Sequence, residues 1–106
     1  MNTIHQEAKA LLPQLLRWRR DLHQMPEVGL SLPQTAAYVF QELQQMGYEP
    51  YYLTESGIVA VLEGPRPGRT ILLRADMDAL PMEEESGLAF SSKNPGASHT
   101  CGDDTH

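Results

Sequence analysis

The chain has 106 residues, 8 Lys plus Arg against 14 Asp plus Glu, and a formal net charge of -6. That length suits one small domain, and a 41% share of hydrophobic residues excludes a disordered tail. The acidic balance argues against a nucleic-acid or anionic-membrane surface, and apolar runs such as residues 58–62 fall far short of the roughly 20 residues of a membrane span.

The start, Met1-Asn2-Thr3-Ile4-His5, has neither the basic nor the apolar region of a secretory signal. Thr3 and Gln6 have capping-box spacing, which predicts a helix beginning there. Ile4, Ala8, Leu11, Leu15, Trp18 and Leu22 recur three or four apart and share one helical face. Pro13 interrupts that face: either the helix kinks, or a second helix starts with Pro13 in its first turn. His23 and Pro26 mark the end. Ser31 and Gln34 repeat the capping spacing, with Pro33 tolerated in the first turn. Leu32, Ala36, Phe40 and Leu43 form the expected buried stripe, and Gly47 the stop. After Gly47 the residue types turn to strand formers. Tyr51-Tyr52-Leu53 suits a short strand, and the runs 57–62 and 70–75 flank turn chemistry at 63–68. Those two runs are expected to pair as an antiparallel hairpin, buried on both faces. The fold class is thus α/β: two helices followed by a sheet containing a β-hairpin.

Two clusters could carry chemistry. The strand ending in Arg74-Ala75-Asp76-Met77-Asp78 delivers two carboxylates to one side, since side chains alternate with a period of two. Such a pair can bind a metal, orient a ligand or share a proton; a solvated strand end is the plainer alternative. In residues 99–106, five of eight side chains are potential metal donors: His99, Cys101, Asp103, Asp104 and His106. Gly102 lets the backbone bend between donors, whereas a hydrated terminus is the structural alternative. The segment 21–27 could place His23 near a site, although at a helix C-terminus it reads first as a partner for the helix dipole, and Glu83-Glu84-Glu85 reads as a solvated loop. No phosphate loop, G-x-S-x-G elbow or H-E-x-x-H helix occurs, which leaves metal-assisted chemistry as the main enzymatic option. Cys101, the single cysteine, excludes an internal disulfide and fits a reducing compartment, the cytoplasm.

Three ordered segments add a resemblance: Arg19-Arg20-Asp21-Leu22-His23-Gln24-Met25-Pro26-Glu27, Leu73-Arg74-Ala75-Asp76-Met77-Asp78-Ala79-Leu80-Pro81, and the segment 95–106 around Cys101-Gly102-Asp103-Asp104-Thr105-His106. Together they resemble the opening of metal-dependent amidohydrolases of the hippurate hydrolase, N-acyl-amino-acid amidohydrolase and auxin-conjugate hydrolase type. The resemblance implies that residues 1–106 are the N-terminal portion of a zinc-exopeptidase-like catalytic domain, without the lid that commonly mediates dimerisation. It implies a divalent metal, manganese or zinc, with room for two ions in the intact enzyme, and a small N-acyl amino acid as substrate. By the same resemblance Cys101 is a metal ligand and Asp78 supports the metal site. Asp103 stands where the family carries a histidine ligand, a shorter and charged oxygen donor in place of an imidazole. Met25 replaces a histidine found in many relatives.

The family's general-base glutamate, one of a Glu-Glu pair, follows the cysteine motif in chain order, so Glu83-Glu84-Glu85 does not match it. The chain by itself is therefore expected to be inactive and, with apolar strands uncovered, poorly soluble. Two other readings remain open: a catalytically dead remnant acting as a binding module, and a small metal-binding protein built on Cys101, Asp103, Asp104 and a histidine.

Overall fold

The computed structural model describes residues 2–106. Three helices come first: α1 (Asn2–Ala10), α2 (Leu12–Gln24) and α3 (Pro33–Gln45). The helical first quarter divides at Leu11, and Pro13 falls in the first turn of α2, where its missing N–H costs nothing. There are thus three helices where two were expected. α1 starts at Asn2, so Thr3 lies inside the helix rather than capping it. α2 ends at Gln24, two residues ahead of Pro26, with the Met25 N–H closing onto the Leu22 carbonyl at 3.2 Å.

The start of α3 departs from the expected capping box. Its N-terminal amides are satisfied by Glu27, whose carboxylate accepts from Gln34 N–H at 3.1 Å and Thr35 N–H at 2.6 Å. A carboxylate there also meets the positive end of the helix dipole, which a serine hydroxyl cannot do as well. Ser31 turns instead to Glu55, at 2.7 Å. At the other end Gly47 N–H bonds the Gln44 carbonyl and Tyr48 N–H reaches back to Leu43, closing the helix in a Schellman motif.

The strand prediction is corrected in its pairing. β1 (Tyr51–Tyr52) pairs antiparallel with β2 (Ile58–Val59), in the register Tyr51 with Val59 and Tyr52 with Ile58. The Leu53 N–H to Gly57 carbonyl bond at 2.8 Å closes this hairpin. Tyr52 stacks on Phe40 of α3, with ring centroids 4.9 Å apart. The run 70–75, expected to pair with 57–62, forms no strand: Ile71, Leu72 and Leu73 are 83%, 86% and 90% exposed. A strand apolar on both faces needs neighbours and cover on two sides, and among the described residues nothing supplies them. Pro65 and Pro67 in the linker also remove two donors a hairpin could have used.

The core is small and sits where the ends of α2 and α3 meet the segments around residues 79 and 98. Leu32, Ala36 and Ala79 are its buried hydrophobic residues. Phe40 and Leu43, the rest of the predicted stripe, are half-buried, while Ile4, Leu11 and Leu15 of the first stripe remain exposed. α2 and α3 are tied by Arg17 to Glu42 at 3.1 Å and by the Tyr38 hydroxyl donating to Asp21 at 2.6 Å. No helix among the described residues is long and apolar enough to cross a membrane.

Candidate metal centre

Two isolated β-bridges deliver the carboxylate segment to its place. Ala79 N–H bonds the Glu27 carbonyl at 2.7 Å, in a parallel bridge between Val28 and Ala79. Leu80 and Ser98 exchange both backbone hydrogen bonds, at 3.0 and 3.1 Å, as an antiparallel bridge. The chain is therefore pinned just after Asp78 and just before His99, which brings the two sequence clusters side by side. The Ser98 hydroxyl donates to the Met82 carbonyl at 2.7 Å, and Asn94 donates to the Pro26 carbonyl at 2.7 Å. These bonds lash the intervening loop to the end of α2.

The result is a group of three acidic side chains. One carboxylate oxygen each of Asp76, Asp78 and Asp103 lies within 4.8 Å of the others. Asp76 and Asp78 come together as expected from the sequence, although residues 70–78 form no strand. Asp103 joins them from a 3₁₀ turn, Asp103–Thr105, entered through Gly102 at φ +93°. That left-handed conformation is natural for glycine and strained for other residues, so Gly102 sets the direction of Asp103. Asp76 is exposed and also accepts from Arg74 at 2.6 Å; Asp78 and Asp103 are half-buried. The Cys101 thiol is free and exposed, and the structure does not bring it into this group.

Behind the carboxylates lies a buried polar layer that sequence patterns missed. His23, expected first to face the helix dipole, is 6% exposed and touches two carboxylates. Its Nδ1 is 2.6 Å from Asp104 Oδ2 and its Nε2 is 3.0 Å from Glu84 Oε2. Arg19 Nε stands 3.1 Å from the same Asp104 oxygen. The solvated-loop reading holds for Glu83 and Glu85, which are exposed, but not for Glu84: it accepts from Ser92 N–H at 2.7 Å and from the Ser86 hydroxyl, while Glu83 accepts from Gly96 N–H at 2.6 Å. His99 is 6% exposed, and neither ring nitrogen has a partner among the described residues. Burial lowers its pKa against the upward pull of Asp104, Asp103 and Asp78, so the ring is neutral at neutral pH.

Three carboxylates this close repel one another, and a divalent cation is the simplest neutralising ligand. The set is all hard oxygen, the donor type that hard divalent cations take. An orphaned neutral imidazole nearby adds a nitrogen lone pair. On the chemistry of its donors, the site fits a divalent metal.

Comparison with known proteins agrees with the motifs and the fold. The chain is 45% identical over 93 residues to an N-acyl-L-amino acid amidohydrolase of Geobacillus stearothermophilus. It is 42% identical over 96 residues to an N-acetyldiaminopimelate deacetylase of Streptococcus uberis. The structure superposes on the Bacillus subtilis YXEP protein, a dinuclear metal-binding peptidase of the M20 family, with a TM-score of 0.85 and 36% identity over 91% of this chain. The chain is thus similar in sequence to part of an amidohydrolase and a deacetylase, and in fold to part of an M20-family peptidase. Its fold is the α/β N-terminal part of their catalytic domain. The matches cover 87% of this chain in both sequence relatives, but the chain spans only 25% and 26% of their lengths and 28% of the solved neighbour. No protein-family model matches the sequence.

Proposed function

We propose that this chain forms the cation-binding part of a metal-dependent hydrolase acting on the amide bond of N-acyl amino acids. The observation that carries the reading is the convergence of Asp76, Asp78 and Asp103 beside the Cys101 motif, in a chain related to amidohydrolases and deacetylases. Asp78 and Asp103 would hold the ion with Asp76 at the exposed rim. A bound divalent cation supplies Lewis acidity at an amide carbonyl.

General-base chemistry is what the chain does not offer. Glu84 is committed to Ser86, Ser92 and His23, and Glu83 to the Gly96 amide. A carboxylate holding that many donors is a poor proton acceptor. The 106-residue chain is therefore expected to bind Mn²⁺ and to show no turnover. Calorimetric titration with MnCl2 and ZnCl2, beside hydrolysis assays on N-acetyl- and N-benzoyl-amino acids, tests both halves. Absence of a saturable Mn²⁺ site refutes the cation reading, and substantial turnover by the pure chain refutes the inactivity.

One observation favours a second reading, a binding module without catalysis. The exposed run Ile71-Leu72-Leu73 presents unpaired apolar backbone of the kind that recruits another strand. Concentration-dependent association that Leu72→Glu abolishes, in a chain that fails to bind Mn²⁺, would favour it.

A further inference from the structure

We propose that Glu27 is a positioning residue for Asp78: its carboxylate caps α3 while its own backbone carbonyl holds the Ala79 amide, so the helix cap fixes where Asp78 stands in the carboxylate cluster. The consequence for metal binding rests on the reading above; the placement of Asp78 does not.

The segment that joins α2 to α3 offers its carbonyls to both halves of the site. The Gln24 carbonyl accepts from Lys93 N–H at 2.9 Å and the Pro26 carbonyl from the Asn94 side-chain amide at 2.7 Å. Those two bonds hold the loop that leads into residues 98–103. The Glu27 carbonyl accepts from Ala79 N–H at 2.7 Å, and Ala79 directly follows Asp78. No regular sheet shares this task, because residues 70–78 form no strand and Val28 meets Ala79 only in an isolated bridge. Ala79 itself is 2% exposed, so its amide has no access to water as a substitute partner.

Glu27 is in turn held by its side chain. One carboxylate oxygen accepts from Gln34 N–H at 3.1 Å and the other from Thr35 N–H at 2.6 Å. Thr35 and Ala36 are 2% and 1% exposed, so this end of α3 is set firmly in the core. The loop between contributes less burial: Val28 and Leu30 are 45% and 92% exposed, and Gly29 takes φ +92°. The Glu27 backbone therefore cannot drift without breaking the cap. Asp78 needs such a tie, since repulsion from Asp76 and Asp103, within 4.8 Å, pushes it away from the cluster.

The test reads the Ala79 amide first. In Glu27→Ala its hydrogen-exchange protection is expected to fall about tenfold while α2 amides such as that of Trp18 keep theirs. An unchanged Ala79 rate, or an equal loss throughout α2, overturns the proposal. Ser31→Ala is the control in the same loop: Ser31 bonds Glu55, so Ala79 should keep its protection, and a loss as large as in Glu27→Ala overturns the assignment. Where Glu27→Ala does not fold, Glu27→Gln carries the test. It leaves one acceptor oxygen for two amides, so Ala79 protection should fall about threefold with α2 unaffected, and no change overturns the proposal. Titration with MnCl2 separates the two readings. A wild-type chain without a saturable Mn²⁺ site, in which Glu27→Ala still loosens Ala79, removes the metal reading and leaves the placement of Asp78 standing. An Mn²⁺ affinity about tenfold weaker in Glu27→Ala, partly restored in Glu27→Gln, supports the positioning role, and equal affinities overturn it.

Discussion

Replacing Glu84 by Gln removes one negative charge while keeping the size of the side chain. In the native chain the Ser86 hydroxyl, helped by His23 and the Ser92 amide, holds the Glu84 carboxyl down from the ordinary 4.5 to about 2, against burial, which pulls it upward. A difference of that size is worth at most about 3 kcal/mol. Glu84 lies on the wall of an open pocket between the exposed Glu83 and Glu85, so solvent screening reduces the usable part to about 1 kcal/mol. Because the folded-state value lies below the unfolded one, the contribution is fully present above pH 4.5 and drains away as the pH falls toward 2. Urea unfolding followed through the single tryptophan, Trp18, measures it in both proteins from neutral pH downward. At neutral pH Glu84→Gln should be less stable by about 1 kcal/mol, and the two stability curves should converge in acid. A gap that is absent, or that persists unchanged into acid, would refute the assignment of Glu84 as a charged partner of the buried layer.

Glu27→Ala removes the cap from α3 and should cost about 1–2 kcal/mol in urea unfolding, whereas Ser31→Ala should change little, because Ser31 does not cap the helix. Gly102→Ala forces a side chain into the left-handed region at φ +93°. It should cost on the order of 1–2 kcal/mol and weaken Mn²⁺ binding in calorimetry, since the turn that aims Asp103 must relax. Asp103→His restores the donor type expected from the family resemblance and lowers the negative charge of the cluster. Competition between the two metals should then shift toward zinc by about tenfold, and an unchanged preference would argue that Asp103 is not a ligand.

How much was legible in the sequence differs from element to element. The α1–α2 break at Pro13, the end of α2 before Pro26 and the close of α3 at Gly47 follow from single residues whose backbone chemistry acts within one turn. Asp76 and Asp78 come together as expected, but not through the expected strand, since residues 70–78 form none. The pairing of 57–62 with 70–75 did not hold, because strand pairing depends on cover and partners that composition cannot specify. The cap of α3 passed from Ser31 to Glu27 for a similar reason: a carboxylate four residues earlier reached the same amides once the loop had folded back.

By itself the sequence determined where α2 and α3 stop, which residues could bind a cation, and the resemblance to amidohydrolases. Only the tertiary structure decided that His23 meets Asp104, 81 residues away, and Glu84, 61 residues away. Propensity and periodicity act over a few bonds. An ion pair between distant segments takes its meaning from the water that folding expels around it, and no local pattern records that exclusion.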